Sequence, residues 1–219
     1  LIMAALLLHF RIRRMNRRPL IPRKTSWIRI AKLSLFQTVI QYLFFYVGLA
    51  HTTGVKASII EASNVFVAIL IASLIFRQEK LDKHKIIGCI AGFAGVVLIN
   101  INQSGLDMSL SLTGEGFILL STIAYAVSSV LIKIYSREDN PVMLSGWQFL
   151  LGGIIMILCG YLTGGSVSVW TAPSISMLFY LAAVSAVAYS LWGILLKLNP
   201  VSKVAVFGFM NPVFGVILS

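Results

Sequence analysis

The sequence predicts an all-α fold, a bundle of helices that crosses a membrane several times. Hydrophobic residues make up 58% of the chain and charged residues only 11%, whereas soluble domains are typically about 25% charged. Apolar runs recur along the chain, and an α-helix needs about 20 such residues to cross a bilayer. Basic residues gather at the ends of these runs. These three observations indicate a polytopic membrane helix bundle.

Eight apolar runs define the predicted helices. The first, 1–10, is only half a span, and we expect it to be the tail of another helix. The others are long enough to cross a bilayer with modest tilt: 33–50, 55–76, 85–101, 117–135, 142–163, 175–196 and 201–219. Short connections leave no room for a soluble domain. Because the chain begins and ends inside apolar runs, we expect a fragment of a longer protein.

The basic residues predict the orientation in the membrane. Seventeen of the 18 Lys and Arg residues lie in alternate connections, and only Lys56 lies in the other set. The positive-inside rule therefore predicts that the basic loops are cytoplasmic, in a cell membrane that we expect to be a bacterial plasma membrane. This distribution accounts for the net charge of +11 without nucleic acid. Cys89 and Cys159 lie in apolar runs without metal-ligand spacing, so no metal or cofactor is expected.

The run 55–76 contains a carboxylate, Glu61, and an amide, Asn64, which lie on one helix face near Ser58. A carboxylate at the centre of a membrane costs about 2.5–3.5 kcal/mol, so it should face protein or a water-filled cavity. Glu61 is then either a carrier of protons or cations, or a counter-ion to a cationic substrate. Alternatively, it is a buried carboxyl group hydrogen-bonded to Ser58, Asn64 or a neighbouring helix. For Asn64, hydrogen bonding between helices is the alternative to a binding role.

Other polar and aromatic side chains are candidates for the same site. Gln37 and Gln41 lie one turn apart, near Phe44 and Phe45, and amides beside aromatic rings suit an amphipathic organic solute. Packing is the alternative for all of them. The remaining candidates are expected to line the opposite side: Tyr125, Tyr189, Trp192 and Asn211, with Gln148 as a weaker one. Glu79 is instead expected to hold a loop in place at the cytoplasmic end of its helix.

The pattern of short motifs resembles a known family. The motifs are Lys56-Ala57-Ser58, Asn64-Val65-Phe66 and Gly92-Phe93-Ala94-Gly95, with a second copy in Asn211-Pro212-Val213-Phe214. Together they resemble the EamA branch of the drug/metabolite transporter superfamily. Asn64 stands where the family usually has proline, so the helix in the first copy is expected to lack the proline kink.

This resemblance implies ten helices in two inverted repeats, of which this chain would contain about eight. Residues 1–101 would form the first repeat, without its first helix and part of its second. Residues 102–116 would be an outside linker, and residues 117–219 the second repeat without its last helix. The substrate site of such transporters lies near the midplane, between the repeats.

The expected function is secondary transport of a small organic solute, such as a metabolite, an amino acid or a drug-like compound, by alternating access. Protons are a candidate coupling ion, with export as one direction of transport. The sequence contains no Walker A motif, so ATP is not the expected driving force. One alternative is a non-transporting membrane scaffold or receptor. Another is an intramembrane enzyme, but no span contains the histidine or paired aspartates that such chemistry needs, so no catalytic residues are expected.

Overall fold

The structure, a computed structural model, describes residues 21–101, 111–165 and 171–210. In these ranges all regular structure is helical, and no strand is present. The helices are α1 (Ser26–Leu49), α2 (Gly54–Ile75), α3 (Lys83–Ile101), α4 (Leu112–Tyr135), α5 (Pro141–Leu162), α6 (Ala172–Leu198) and α7 (Val201–Ala205). A 3₁₀ turn, Val206–Phe209, continues α7.

Five of the described helices are long and apolar enough to cross a membrane: α1, α2, α4, α5 and α6. Their outward surfaces carry large apolar side chains, such as Leu74 of α2 and Phe179 of α6, as expected of helices that face lipid. The predicted all-α membrane bundle is therefore confirmed. The predicted run 1–10 and most of the run 201–219 lie outside the described residues.

Local sequence signals set several of the helix ends. The Thr53 side chain caps α2 by accepting a hydrogen bond from the Lys56 amide (3.3 Å). Asn140 caps α5 in the same way through the Val142 amide (2.9 Å), and Pro141 occupies the first turn, where a missing amide hydrogen costs nothing. At the other end of α5, Gly164 adopts φ +81°, a left-handed conformation that glycine adopts easily and that ends the helix.

Two helices begin earlier than the hydropathy pattern predicts. Helix α1 begins at Ser26, whereas the predicted run begins at residue 33. The hydropathy pattern missed the first two turns because they contain Arg29 and Lys32, which lower the local hydropathy. Helix α4 begins at Leu112, within the stretch predicted as a linker. The Ser111 hydroxyl caps it by accepting from the Gly114 amide (3.2 Å), while the Glu115 carboxylate accepts from the Ser111 amide (2.7 Å).

Helix α2 is interrupted at Ser63, which separates the helical segments Gly54–Ala62 and Asn64–Leu70. The Ser63 hydroxyl donates to the Ile60 carbonyl (2.5 Å), and this kind of backbone hydrogen bond is known to bend helices. The sequence predicted only that α2 lacks the kink that a proline at position 64 would cause, and it did not predict this interruption. A serine one residue earlier interrupts the helix instead.

The chain divides into two compact units, and each draws on both predicted repeats. The first unit comprises Leu1–Val39 and Leu131–Leu198. In it, the first half of α1 packs against α5, and α5 packs against α6. Ile30, Leu33, Leu144, Phe149 and Leu196 are fully buried there.

The second unit comprises Ile40–Val130 and Asn199–Ser219. In it, the first segment of α2 packs against α3, and the second segment packs against α7. The second half of α1 packs against the first turn of α4, where a Cβ on Gly48 would lie only 2.9 Å from the Gly114 carbonyl oxygen. Glycine at position 48 therefore permits close approach of these two backbones.

Candidate functional site

The second unit holds the Glu61 cluster, which consists of Glu61, Tyr42 and Tyr125. Glu61 belongs to the first segment of α2, two residues before the interruption at Ser63. Its side chain is exposed, yet the surrounding protein partly desolvates the carboxyl group. The Tyr125 side chain of α4 lies close enough to Glu61 and Tyr42 to interact with both electrostatically. An accessible carboxyl group within electrostatic range of a phenol can bind a cation, exchange a proton or hydrogen-bond a polar solute.

Asn64 opens the second segment of α2, directly after the interruption. Its side-chain oxygen is buried and accepts no hydrogen bond from the described residues. The Gln41 side-chain oxygen, in α1 of the same unit, is in the same condition. A buried carbonyl oxygen without a partner costs about 1–3 kcal/mol, so both groups are predisposed to accept a hydrogen bond from a bound molecule or from water.

Ser58 is oriented along its own helix, since its hydroxyl donates to the Val55 carbonyl oxygen (2.8 Å). This is an ordinary backbone hydrogen bond of a serine in a helix. Ser58 is half-buried, one turn before Glu61 on α2.

The first unit holds an amide pair, Gln37 and Gln148. The Gln148 amide nitrogen donates to the Gln37 side-chain oxygen (2.6 Å), and both side chains are completely buried. Two neighbouring α1 side chains, Ser34 and Thr38, contact α5 at the site where a Cβ on Gly152 would lie. Gln37 thus has a hydrogen-bond partner on α5. The spacing of residues along α1 could not have predicted that partner.

The first unit also contains the two aromatic candidates of α6. Tyr189 packs edge-to-face against Phe149 of α5, with 4.5 Å between ring centroids. Trp192 lies one turn further along α6 and is half-buried. Asn211 lies outside the described residues. The nine predicted site residues are thus divided: Gln37, Tyr189 and Trp192 belong to the first unit, and Gln41, Ser58, Glu61, Asn64 and Tyr125 belong to the second.

Three other carboxylates have fixed partners. Glu115, at the start of α4, accepts from the Thr52 hydroxyl (2.6 Å) and pairs with Lys56 (3.4 Å). Asp139 accepts from the Ser26 hydroxyl (2.8 Å) and from Arg29 (2.7 Å). Glu79 binds the first turn of α7. Glu61 differs from all three because no such set of donors surrounds it in the described structure.

The EamA-like transporter family profile matches residues 1–101 and 112–219, which is nearly the entire chain. The chain belongs to the EamA-like transporter family. The resemblance that the short motifs indicated is therefore confirmed, and with it the description of the chain as a membrane protein with several spans.

Relatives of this EamA-like protein occur in archaea and plants. An uncharacterized transporter of Archaeoglobus fulgidus is 30% identical over 204 residues, which cover 90% of this chain and 68% of the relative. A WAT1-related chloroplast protein of Arabidopsis thaliana is 26% identical over 207 residues, which cover 90% of this chain and 49% of the relative. The chain thus spans from about half to two thirds of the length of these relatives.

A solved crystal structure has the same fold as this EamA-like protein. It matches with a TM-score of 0.80 over 99% of this chain and 78% of that chain, at 19% sequence identity. At this level of identity the match supports the helical fold and says nothing about the solute.

Sequence reasoning missed two partners in the EamA-like protein. Tyr42 follows Gln41 directly but was not predicted to interact with Tyr125. Gln148 was a candidate for lining the site, but its hydrogen bond to Gln37 was not predicted. Both contacts join residues far apart in the chain. The sequence signal for each was a polar group inside an apolar run, which suggests that the group has a partner. Such a signal does not identify the partner.

Proposed function

We propose that the protein is a secondary transporter for a small organic solute and that Glu61 carries the proton or binds the cation that couples transport. The single observation that carries this proposal is the Glu61 cluster: an accessible carboxyl group inside a membrane span, within electrostatic range of Tyr125 and two residues before a break in the helix. Ionisable groups within membrane spans mark ion and substrate pathways.

The proposed mechanism is alternating access, in which the site opens first to one side of the membrane and then to the other. A carboxyl group that is accessible from each side in turn can bind a proton on one side and release it on the other. The aromatic rings of Tyr125 and Tyr42 in the same cluster favour a cationic or amphipathic solute. The Gln41 and Asn64 oxygens would accept hydrogen bonds from such a solute. The proposed location is a plasma membrane, with the basic loops in the cytoplasm.

The test is Glu61→Gln in the full-length protein, reconstituted in liposomes that contain a pH-sensitive dye. A panel of small amines, amino acids and organic cations is added outside, and solute-dependent proton movement is recorded. Glutamine keeps the shape and much of the hydrogen bonding of Glu61 but cannot titrate. We therefore expect the variant to lose proton movement driven by the solute while it retains exchange of labelled solute.

Glu115→Gln is the matched control. Glu115 also lies in a span of the second unit, but the Thr52 hydroxyl and the Ser111 amide hold its two carboxylate oxygens. In Glu115→Gln the one carbonyl oxygen can still accept from the Ser111 amide, and the Thr52 hydroxyl can turn to accept from the new amide nitrogen. This variant should keep proton coupling. Unchanged proton movement in Glu61→Gln would exclude Glu61 as the carrier. If none of the panel moves with protons in the wild-type protein, proton coupling itself is contradicted for these solutes.

A further inference from the structure

The loop between α2 and α3 holds the first turn of α7 through one side chain, Glu79. The Glu79 carboxylate accepts hydrogen bonds from the backbone amide of Val201, from the Ser202 amide (3.4 Å) and from the Ser202 hydroxyl (2.5 Å). Val201 and Ser202 lie 122 and 123 positions after Glu79 in the chain. We call this set of contacts the Glu79 latch. It lies wholly within the second unit.

Lys85, in the first turn of α3, completes the latch. Its ammonium group lies 3.1 Å from the Glu79 carboxylate and donates to the Lys80 carbonyl oxygen (3.0 Å), so it folds the loop around Glu79. Only 7% of the Glu79 side chain is exposed. Burial by itself raises the pKa of Glu79, but the hydrogen bonds from Ser202 and Lys85 outweigh it and hold the pKa below its ordinary value. Glu79 is therefore ionised in the closed latch at neutral pH.

The backbone just before the latch is strained. Arg77 has φ +49°, the only positive φ at a residue other than glycine in the described structure. A residue with a Cβ is disfavoured in this region and persists there only when its surroundings enforce the conformation. Gln78 follows, and its amide donates to the Ala72 carbonyl oxygen (2.8 Å), which continues the turn out of α2. The contacts of Glu79, two residues after Arg77, are in a position to hold this strained turn.

The latched helix reaches the candidate site. Helix α7 packs against the second segment of α2, which begins with Asn64. A Cβ on Gly208, in the turn after α7, would lie 3.3 Å from the Val65 side chain, directly after Asn64. The Phe209 ring in the same turn packs against Gly92 of α3. Movement of α7 would therefore be transmitted to the segment of α2 that adjoins Glu61.

We propose that Glu79 is a positioning residue whose contacts with Val201 and Ser202 keep the path to Glu61 closed on the side of the basic loops, and that opening to that side requires these contacts to break. The inference rests on the proposed function in one respect only, namely that Glu61 lines the path of the solute. A latch of this kind differs from a simple structural tie because its loss changes which side of the membrane can reach Glu61.

The experiment measures access to position 61 from each side of the membrane. A Glu61→Cys reporter is placed in a full-length background in which Cys89 and Cys159 are replaced by alanine. It is labelled with a membrane-impermeant maleimide in vesicles of each orientation. Glu79→Gln and Ser202→Ala are then introduced separately and together. We expect each to raise labelling from the basic side by at least about tenfold, the effect of losing one hydrogen bond to a charged group.

Two further results separate a latch from general loosening. Labelling from the opposite side should fall in the same variants, because a protein that alternates between two states cannot open both ends together. The double variant should have little more effect than Glu79→Gln alone, because both substitutions remove the same contact. Increased labelling from both sides, or no change from the basic side, would overturn the proposal.

The control is a similar tie in the first unit, where the Ser26 hydroxyl donates to the Asp139 carboxylate (2.8 Å). Asp139→Asn and Ser26→Ala should leave the labelling of the reporter thiol at position 61 unchanged. Thermal unfolding of every variant in detergent verifies that it folds, and Ser202→Ala provides the mildest change if Glu79→Gln unfolds. The assay needs no solute, so a failure of Glu61 as proton carrier leaves the latch testable. Failure of the reporter thiol to react from either side in any variant would contradict both proposals.

Discussion

At the scale of single residues, the partners of a carboxylate decide its role more than its position in the chain does. Glu79 and Glu115 are each surrounded by donors, including backbone amides, a hydroxyl and a lysine. Such groups keep one protonation state and stabilise structure. Glu61 has an accessible side chain with tyrosine neighbours instead. Of these three carboxylates, it is therefore the best suited to gain and lose a proton during a transport cycle.

Glu79 should also make stability depend on pH in a defined direction. Because folding lowers the pKa of Glu79, its ionised form stabilises the native state above the ordinary carboxyl pKa of about 4.3, and this contribution is lost as the pH falls through the lowered value. Glu79→Gln should therefore cost about 1.5 kcal/mol at pH 7. The difference from wild type should shrink below about pH 4. Unfolding in detergent across this range measures it, and a difference that grows on acidification would contradict the assignment.

At the scale of elements, the sequence predicted which segments are helices better than where they begin. The apolar runs correspond to α1 to α6, because the length and hydropathy of a membrane helix are local properties. The early start of α1 was missed because Arg29 carries a charge, and an unpaired charge is unfavourable in a membrane helix. In the folded chain Asp139 and Glu138 neutralise that charge. The interruption of α2 was missed because Ser63 lacks the clear signal of proline.

The contact between α1 and α5 gives a prediction with an internal control. A Cβ on Gly152 would lie 2.5 Å from Thr38 Cβ and 2.9 Å from Ser34 Oγ, whereas Gly160 on the same helix has open space. Gly152→Ala should force the two helices apart and destabilise the protein by about 1–3 kcal/mol. Gly160→Ala should be neutral, or stabilising by up to about 1 kcal/mol. Thermal unfolding in detergent compares them, and equal effects would show that α1 and α5 do not pack this closely.

The Gln37–Gln148 pair provides a second prediction for the same two helices. Replacing either residue by leucine leaves the other amide buried without its partner, which should cost about 1–3 kcal/mol. Replacing both removes the two polar groups together, so the double variant should be more stable than the sum of the single effects predicts. A thermodynamic cycle from unfolding in detergent measures this coupling. Additive effects would show that the two amides do not interact.

At the scale of the whole molecule, the family and the fold class followed from the sequence, while the grouping of the helices did not. Composition, run length and short motifs predict a membrane bundle of the EamA-like family, and the family match confirms it. Glu61 could be identified because a carboxylate inside an apolar run is rare. Its neighbour Tyr125, and the pairing of Gln37 with Gln148 across 111 residues, depend on tertiary packing that no local pattern contains.

The distribution of basic residues gives a prediction for the whole chain in its membrane. If alternate connections face the cytoplasm, Lys80→Cys after α2 and Arg137→Cys after α4 should react with an impermeant maleimide from the cytoplasmic side only. His51→Cys after α1 and Thr163→Cys after α5 should react from the opposite side only. All four positions are exposed. Spheroplasts and inverted vesicles carrying each single cysteine, in a background without Cys89 and Cys159, provide the two sides.

This labelling also tests the inverted relation of the two predicted repeats. Helix α2 and the run 201–219 occupy equivalent positions in the repeats, so inversion requires them to enter the membrane from opposite sides. Lys56→Cys, at the start of α2, should then react from outside, and Lys203→Cys, in α7, from the cytoplasm. Reaction of both from one side would mean that the two repeats run parallel. The two repeats would then be related by an axis along the membrane normal.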